Sequence, residues 1–227
     1  RCMALEIHIA KERHPGRWIF IIILVALFAA AGWFGYKWYT TGEQPPIPIP
    51  LQNADASVDE SDVTSKQVSD YTVSKSLPRY VSIPSLGVGK TRVQPVKLDA
   101  NNVLMFPANI NDAGWYEKSS HPGSGGVVII NGHAKGISKD GPFMQLSTLK
   151  KGSEIVIERG DGVIFRYGVV ENNSMTVDEL NSTGVTLMGK PVKADSEGLN
   201  VVTTAGNWVP QLGTFDRRIL LRATIVD

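Results

Sequence analysis

Three side chains lie at the edges of apolar, strand-like runs, where they could do chemistry. His133 follows such a run in VIINGHAKG, in a loop opened by Asn131 and Gly132, and an imidazole there could act as a general acid or base. Arg217 and Arg218 begin the last apolar run, DRRILLRATIV, and a guanidinium there could bind a developing oxyanion. Because successive residues of a strand point to opposite faces, at most one of the two arginines can face a given site. Each of the three taken alone is typical of a solvated surface position, so none identifies a function by itself.

A third run, NVVTTAGNW, starts as an apolar, β-branched strand and stops at Gly206, as a strand that runs into a loop would. Thr203 and Thr204 precede the junction, and the residue at the junction is Ala205, whose methyl group is unreactive. The run has two interpretations. It is the strand end of an enzyme that lacks its reactive atom, or that of a β-domain without catalysis.

The elements that would position these residues are short strands. From residue 77 to residue 227 the chain consists of brief β-type runs separated by Gly, Pro, Asn and Asp. The candidate strands are RYVSI, TRVQPV, GVVIIN, EIVIE, VIFRYGVVEN, LNVVT and RILLRATIV. Only GPFMQLSTLKKG has a helical pattern, with Phe143, Leu146 and Leu149 on one face. Many short strands and one brief helix predict an all-β domain, either a sandwich or a closed barrel.

The N-terminal part of the chain contains an uncharged, apolar run, Trp18 to Tyr36. At about 1.5 Å per residue it would extend about 28 Å as a helix, close to the roughly 30 Å hydrocarbon core of a bilayer. Aromatic residues at both ends suit the interfacial belts, and basic residues are concentrated before the run. We therefore expect a single transmembrane signal-anchor helix over 18–39, a cytoplasmic N-terminal tail over 1–17, and an extracellular domain on a single-pass protein of the cell membrane.

Residues 40–76 have the composition of an extracellular linker. The stretch opens Pro-rich and then becomes rich in Ser, Asp and Val without a usable period, although SVDESDVTSKQVSDYTV has weak apolar spacing that could form a short helix. The sequence therefore predicts four parts: the tail, the anchor, the linker and a β-domain over 77–227.

Composition excludes several classes of function. A net charge of +1 argues against a nucleic-acid partner, and a single cysteine excludes a disulfide framework or a zinc ribbon. The sequence has no EF-hand spacing, so we predict no metal site, and its scattered carboxylates are expected on solvated loops. These carboxylates are Asp99, Asp112, Asp161, Glu171 and Asp178.

From LPRYVSIPSLGV to the C-terminus the chain resembles the sortases, membrane-anchored cysteine transpeptidases of bacterial surfaces. The similar motifs are IPSLGV, GWYEKSSHPGSGGVVIINGHAKG, GPFMQLSTLKKGSEIVI and the ending VVTTxG…RRILLRA. The resemblance implies an eight-stranded closed β-barrel with one or two short helices. It also places the His, Cys and Arg of the family at His133, Ala205 and Arg218. Arg218 is preferred to Arg217 because the family arginine is commonly followed directly by an aliphatic strand.

With a cysteine at the nucleophile position, the resemblance implies a thiol-protease-like transpeptidase of the hydrolase class that needs no cofactor. The thiolate would attack the Thr–Gly carbonyl of an LPxTG-like sorting signal, and His133 would protonate the leaving amine. Arg218 would bind the substrate and the oxyanion, with Thr203 and Thr204 near the substrate. An acceptor amine, from a cell-wall precursor or a pilin lysine, would then resolve the thioester. The surface protein would thus be anchored to the cell wall or joined to a pilin.

An alanine at the nucleophile position departs from the family pattern, since a methyl group cannot form a thioester. It reflects either a deliberate Cys-to-Ala replacement, which would give an inactive mutant of an active parent, or a natural pseudo-enzyme. The otherwise complete set of His133, Thr204, Gly206 and Arg218 favours replacement. A third interpretation is a membrane-tethered β-barrel that serves as a binding or scaffold protein without catalysis. No Asp-Pro-aromatic lid motif precedes the domain, which favours general anchoring of surface proteins over pilus assembly.

Overall fold

The computed structural model describes residues 15–41, 58–211 and 213–226. The chain divides into two units, residues 1–48 and residues 49–227. The predicted tail up to residue 14 and the Pro-rich part of the predicted linker, 42–57, lie outside the described residues.

The first unit contains one α-helix, α1 (Pro15–Thr41). Its described side chains, at 21–33 and 36, are exposed, among them Ile22, Leu27 and Phe28. Over the residues that the structure describes, no helix is both long enough and apolar enough to cross a membrane.

The second unit is built on a closed barrel of eight strands, as the resemblance predicts. The strands are β1 (Pro78–Ile83), β2 (Val88–Val96), β3 (Ala113–Tyr116), β4 (Val127–Gly132), β5 (Glu154–Arg159), β6 (Ile164–Thr176), β7 (Gly198–Val209) and β8 (Thr214–Val226). Their order around the barrel is β1-β2-β3-β4-β7-β8-β6-β5, and β5 closes on β1. The β2–β3 and β4–β7 pairs are parallel and the other pairs are antiparallel.

Alternate residues of the strands fill the barrel, as the period of a β-strand dictates. Val128 and Ile130 of β4 pair with Leu199 and Val201 of β7, and all four are fully buried in the core. The interior side chains of β8 are, by the same alternation, those of Ile219, Leu221 and Ala223. This alternation identifies which residues of each strand face the core and which face outward.

The segment predicted to be helical, GPFMQLSTLKKG, is not an α-helix. It forms turns and a short 3₁₀-helix, Leu146–Thr148, yet it buries Phe143, Leu146 and Leu149 in the core, as the sequence pattern suggested. Asn172 of β6 fixes this segment by donating to the carbonyls of Leu146 and Leu149. The segment therefore supplies three apolar side chains to the core although it forms no α-helix.

Residues 58–76, which the sequence places in the linker, lie against the barrel. A short helix, α2 (Ser65–Ser69), begins with a capping box between Thr64 and Gln67. The Tyr71 hydroxyl then donates to the Val93 carbonyl at 2.5 Å. The ordered domain thus extends N-terminal of residue 77.

A helical segment that the sequence did not indicate connects β6 to β7. It consists of α3 (Val177–Glu179), a π-helical turn (Leu180–Gly184) and α4 (Val185–Met188). Thr176 caps its start, and its end accepts hydrogen bonds from Asn200 of β7 at the Leu187 and Met188 carbonyls. The segment therefore lies over the outward-facing side of β7.

Candidate active site

Three neighbouring strands bring the predicted site residues to one end of the barrel. His133 directly follows the last residue of β4, and β4 runs parallel to β7, so the two strands end at the same side. The start of β8, with Arg217 and Arg218, lies at that side as well because β8 is antiparallel to β7. Residues more than 80 positions apart in the sequence thereby meet in one region.

His133 is buried, with 8% of its surface exposed. Its ring lies 5.1 Å from the ring of Phe106, and its Nε2 is 2.8 Å from the carbonyl oxygen of Pro107. A carbonyl oxygen can only accept, so Nε2 carries the proton in this contact. The sequence places His133 in a loop, at a position typical of a solvated side chain, but in the structure residues 106 and 107 cover it.

The covering loop is held by a chain segment that the sequence assigned to the linker. The Asp59 amide donates to the Ala108 carbonyl, and the Ile110 amide donates back to the Asp59 carbonyl, both at 2.9 Å. Asn109 adds a side-chain contact to the Asp59 carboxylate. Neither Phe106 nor Asp59 belongs to a recognisable motif. Only the tertiary structure brings Phe106 to His133 and Asp59 to the loop that covers it.

Arg218 is partly buried at the start of β8. Its guanidinium donates to the Phe215 and Arg217 carbonyls and to the Thr214 hydroxyl, at 2.7, 2.9 and 2.9 Å. Burial lowers the pKa of Arg218 below its ordinary value, and the nearby Asp216 carboxylate partly offsets the effect. A guanidinium has five N–H donors, so the donors beyond these three contacts can bind a carbonyl oxygen.

Arg217 has different surroundings. Its guanidinium donates to the hydroxyl and the carbonyl of Ser174 on β6, at 2.8 and 3.1 Å. The two arginines therefore lie on different faces of β8, as the alternation of a strand requires.

The register of β7 with β8 assigns partners at the strand end. Thr204 lies opposite Arg218, and Ala205 lies opposite Arg217. Ala205 packs against the buried core cluster. The structure thus brings His133, Ala205 and Arg218 to one end of the barrel, but it places Ala205 and Arg218 on opposite faces of the β7–β8 pair. The catalytic roles of these residues stay predictions.

Thr203, predicted to lie near the substrate, points into the protein. It is 1% exposed, and its hydroxyl donates to the Gly132 carbonyl at 2.7 Å. This hydrogen bond joins β7 to the end of β4. Thr204 is partly exposed and remains a candidate for contact with a substrate.

After Ala205 the β7–β8 pairing shifts, and it resumes only at Trp208 opposite Phe215. Gly206 lies in this bulge with φ +82°, and a Cβ there would come within 2.0 Å of the Asp216 carboxylate. That carboxylate accepts from the Asn207 amide at 2.8 Å. Glycine is therefore required at the junction for a backbone reason. The prediction that the strand stops at Gly206 is wrong, because β7 continues through this bulge to Val209.

The expectation that the acidic residues lie on solvated loops is wrong for Asp112, and Glu171 and Asp178 lie in β6 and α3 and not on loops. Its carboxylate is buried and forms a bidentate ion pair with Arg92, at 2.8 and 2.9 Å. Glu171 and Asp161 are paired with Arg222 and Arg159. In the described part of the chain, no group of three or more His, Cys, Asp or Glu residues is arranged to hold a metal ion.

Comparison with known proteins assigns the family. Residues 81–226, more than half of the chain, match the sortase domain, and the chain therefore belongs to the sortase family. No curated protein matches the sequence at a significant level.

Solved structures agree on the fold. Sortase A from Corynebacterium diphtheriae, a lid mutant, is 19% identical with a TM-score of 0.50, and the match covers 71% of this chain and 76% of that one. A pilus-related sortase C of Group B Streptococcus is 17% identical with a TM-score of 0.50, over 78% of this chain and 81% of that one. At such identities these similarities show the shared barrel fold.

Proposed function

We propose that this domain is built for the transpeptidation of LPxTG-like sorting signals, with an amine of the cell wall or of a pilin as acceptor. The observation that carries the proposal is the arrangement of three adjacent strands. His133 at the end of β4 and Arg218 near the start of β8 flank the Thr203–Ala205 stretch of β7 on its two sides. An acid on one side and a guanidinium on the other is the arrangement that an acyl transfer at this stretch needs.

We further propose that this chain binds sorting signals but does not cleave or transfer them. The only cysteine of the sequence is Cys2, and β7 has Thr203, Thr204 and Ala205 at the proposed site. Without a thiol in this stretch, a thioester cannot form there, whatever the origin of the substitution. The remaining groups can still bind a peptide carbonyl, since Arg218 keeps donors beyond its three internal contacts.

The test is binding of a fluorescent LPxTG-type peptide to the purified chain and to two single variants. Arg218→Ala should weaken binding roughly tenfold or more, since a hydrogen bond to a charged group contributes about 1.5–3 kcal/mol. Arg217→Ala removes the same charge one residue away and should change the affinity much less. Absence of any peptide binding, or equal effects of the two variants, would favour the scaffold interpretation over the enzyme lineage.

We also propose that residues 18–39 anchor the protein in the cell membrane with the barrel outside and the N-terminus in the cytoplasm. This proposal is supported by the sequence: the uncharged run Trp18–Tyr36, its aromatic ends and the basic residues before it. Protease added to intact cells should release the barrel unit without any treatment that opens the membrane. Protection of the barrel until the cells are opened would contradict the orientation.

A further inference from the structure

The pairing of β7 with β8 places Thr204 and Ala205, the two candidates for the position of the attacking group, on opposite faces of the sheet. Register partners on adjacent strands point to the same face of a sheet. Thr204 therefore shares a face with Arg218, and Ala205 shares the opposite face with Arg217. If Arg218 binds the substrate carbonyl, the residue that attacks that carbonyl should be on the face of Thr204.

The core shows which of these faces is the inside of the barrel. On β7 the fully buried core residues Leu199 and Val201 have the same parity as Ala205, which packs against the same cluster. On β8 the core residue Ile219 has the parity of Arg217. Ala205 is therefore a core-facing residue, and the face of Thr204 and Arg218 is the outward one.

The third strand places His133 on the outward face as well. Asn131 of β4 is the register partner of Val202, which precedes Thr204 by two residues just as Asn131 precedes His133. The strands stay in contact beyond this pair, because the Thr203 hydroxyl donates to the Gly132 carbonyl at 2.7 Å. Alternation then puts His133 on the face of Thr204, between the same two strands.

We propose that Thr204, and not Ala205, occupies the position of the attacking group, an inference that rests on the proposed function. Of the two, only Thr204 lies on the face shared by His133 and Arg218. Its hydroxyl is a weak nucleophile, so a threonine at this position permits binding with little or no turnover. Ala205 has a packing role beneath it.

A cysteine introduced at position 204 would complete the reaction. The thiolate sulfur bonds to the carbonyl carbon of the peptide, the carbon–nitrogen bond breaks, and the leaving amine takes a proton from protonated His133. The acceptor amine then bonds to the same carbon, its proton passes to His133, and the carbon–sulfur bond breaks to return the thiolate. No oxidant, reductant or cofactor is consumed.

The experiment compares two single-cysteine proteins, Thr204→Cys and Ala205→Cys, each in the full chain with Cys2→Ser so that one thiol is present. Circular dichroism and thermal unfolding establish that both are folded. Each is then incubated with an LPxTG-type peptide and a small amine, and the covalent acyl intermediate is detected by intact mass. We expect the intermediate and the transpeptidation product with Thr204→Cys, and a yield at least tenfold lower with Ala205→Cys. The reverse order would overturn the proposal.

A second measurement separates this inference from the proposed function. The rate of alkylation by iodoacetamide is followed against pH for both thiols, with and without Arg218→Ala. We expect the thiol at 204 to have a lowered pKa that rises when Arg218 is removed, because a nearby positive charge favours the thiolate, and the thiol at 205 to react at least tenfold more slowly. If the thiol at 204 shows this Arg218-dependent pKa but no acyl intermediate forms, the placement of Thr204 stands and the transpeptidase function is refuted. A thiol at 204 that is insensitive to Arg218 would refute the placement itself.

Discussion

The Thr203 hydroxyl donates to the Gly132 carbonyl at 2.7 Å, which links the end of β7 to the end of β4 immediately before His133. Thr203 is 1% exposed, so this hydrogen bond lies in the interior. The contact lies just beyond the last β4–β7 pair, Asn131 with Val202, and it holds the end of β4 against the part of β7 that the proposed site needs.

Replacing Thr203 by Val should therefore destabilise the domain and disturb His133. The substitution keeps the shape but leaves a buried carbonyl without its donor, which costs about 1–3 kcal/mol. The free energy of unfolding from a denaturant titration would give this loss, and Thr203→Ser, which keeps the hydroxyl, should cost less. A valine variant as stable as the parent would show that the contact is unimportant.

Gly206→Ala should disrupt the β7–β8 bulge. Its φ of +82° is unfavourable for alanine, and the added Cβ would lie 2.0 Å from the Asp216 carboxylate. We expect a loss of more than about 1 kcal/mol in unfolding free energy. The matched control is Gly213→Ala, which has φ +59° with no heavy atom within 4 Å of the added Cβ, so it shares the backbone cost but not the clash. If the two variants lost equal unfolding free energy, the clash with Asp216 would not contribute to the effect of Gly206→Ala.

Asp112→Asn should be the most destabilising of the carboxylate substitutions. The change leaves Arg92, whose side chain is 15% exposed, without its bidentate partner. Removing one member of a buried pair costs roughly 3 kcal/mol or more. Glu117→Gln, which breaks a more exposed pair with Lys97, should cost less than about 1 kcal/mol. Thermal unfolding of both variants would compare them, and a larger loss at Glu117 would contradict the expectation.

Acid should release the segment around Glu60 from the 137–138 turn. The Glu60 carboxylate accepts from the Ser138 hydroxyl and from the Ile137 and Ser138 amides, and these hydrogen bonds lower its pKa against the opposing effect of burial. Because the folded pKa lies below the unfolded value, the contribution is complete above the unfolded pKa and is lost as pH falls through the folded one. The amide signals of Ile137 and Ser138 should titrate below the ordinary pKa of glutamate, and Glu60→Gln should abolish that titration. A midpoint at the ordinary value would contradict it.

In the Thr204→Cys protein, His133→Ala should abolish turnover because the leaving amine loses its acid. Arg218→Ala should lower kcat/KM by about a hundredfold or more, as the loss of an oxyanion donor does. Arg217→Ala should be much milder, since its guanidinium is directed to Ser174. If Arg217→Ala lowered kcat/KM more than Arg218→Ala, Arg217 would be the arginine that serves the site. The assignment of the site to the face of Arg218 would then be wrong. Steady-state kinetics with one peptide and one amine would decide.

Local features of the sequence are enough to predict the class of the domain and most of its strands. Seven of the eight strands were indicated by apolar, β-branched runs, because alternation and turn residues are local features of a chain. The eighth, β3 (Ala113–Tyr116), is too short to show a period and exists only because β2 and β4 pair with it. The ordered motifs placed the chain among the sortases, as the family match confirms, and they assign His133 and Arg218 catalytic roles that stay predictions.

The residues of β7 that share a face with His133 and Arg218 follow from long-range strand pairing and not from any local pattern. The letters VVTTAG do not say whether Thr204 or Ala205 points outward, since a shift of one residue in register reverses every side chain of a strand. The register is fixed by the buried pairs Ile130–Val201 and Val201–Leu221, whose members are far apart in the sequence. The contact of residues 58–62 with the loops around His133 also could not be predicted from the sequence. It depends on hydrogen bonds between segments about 50 and 78 residues apart, which no local pattern encodes.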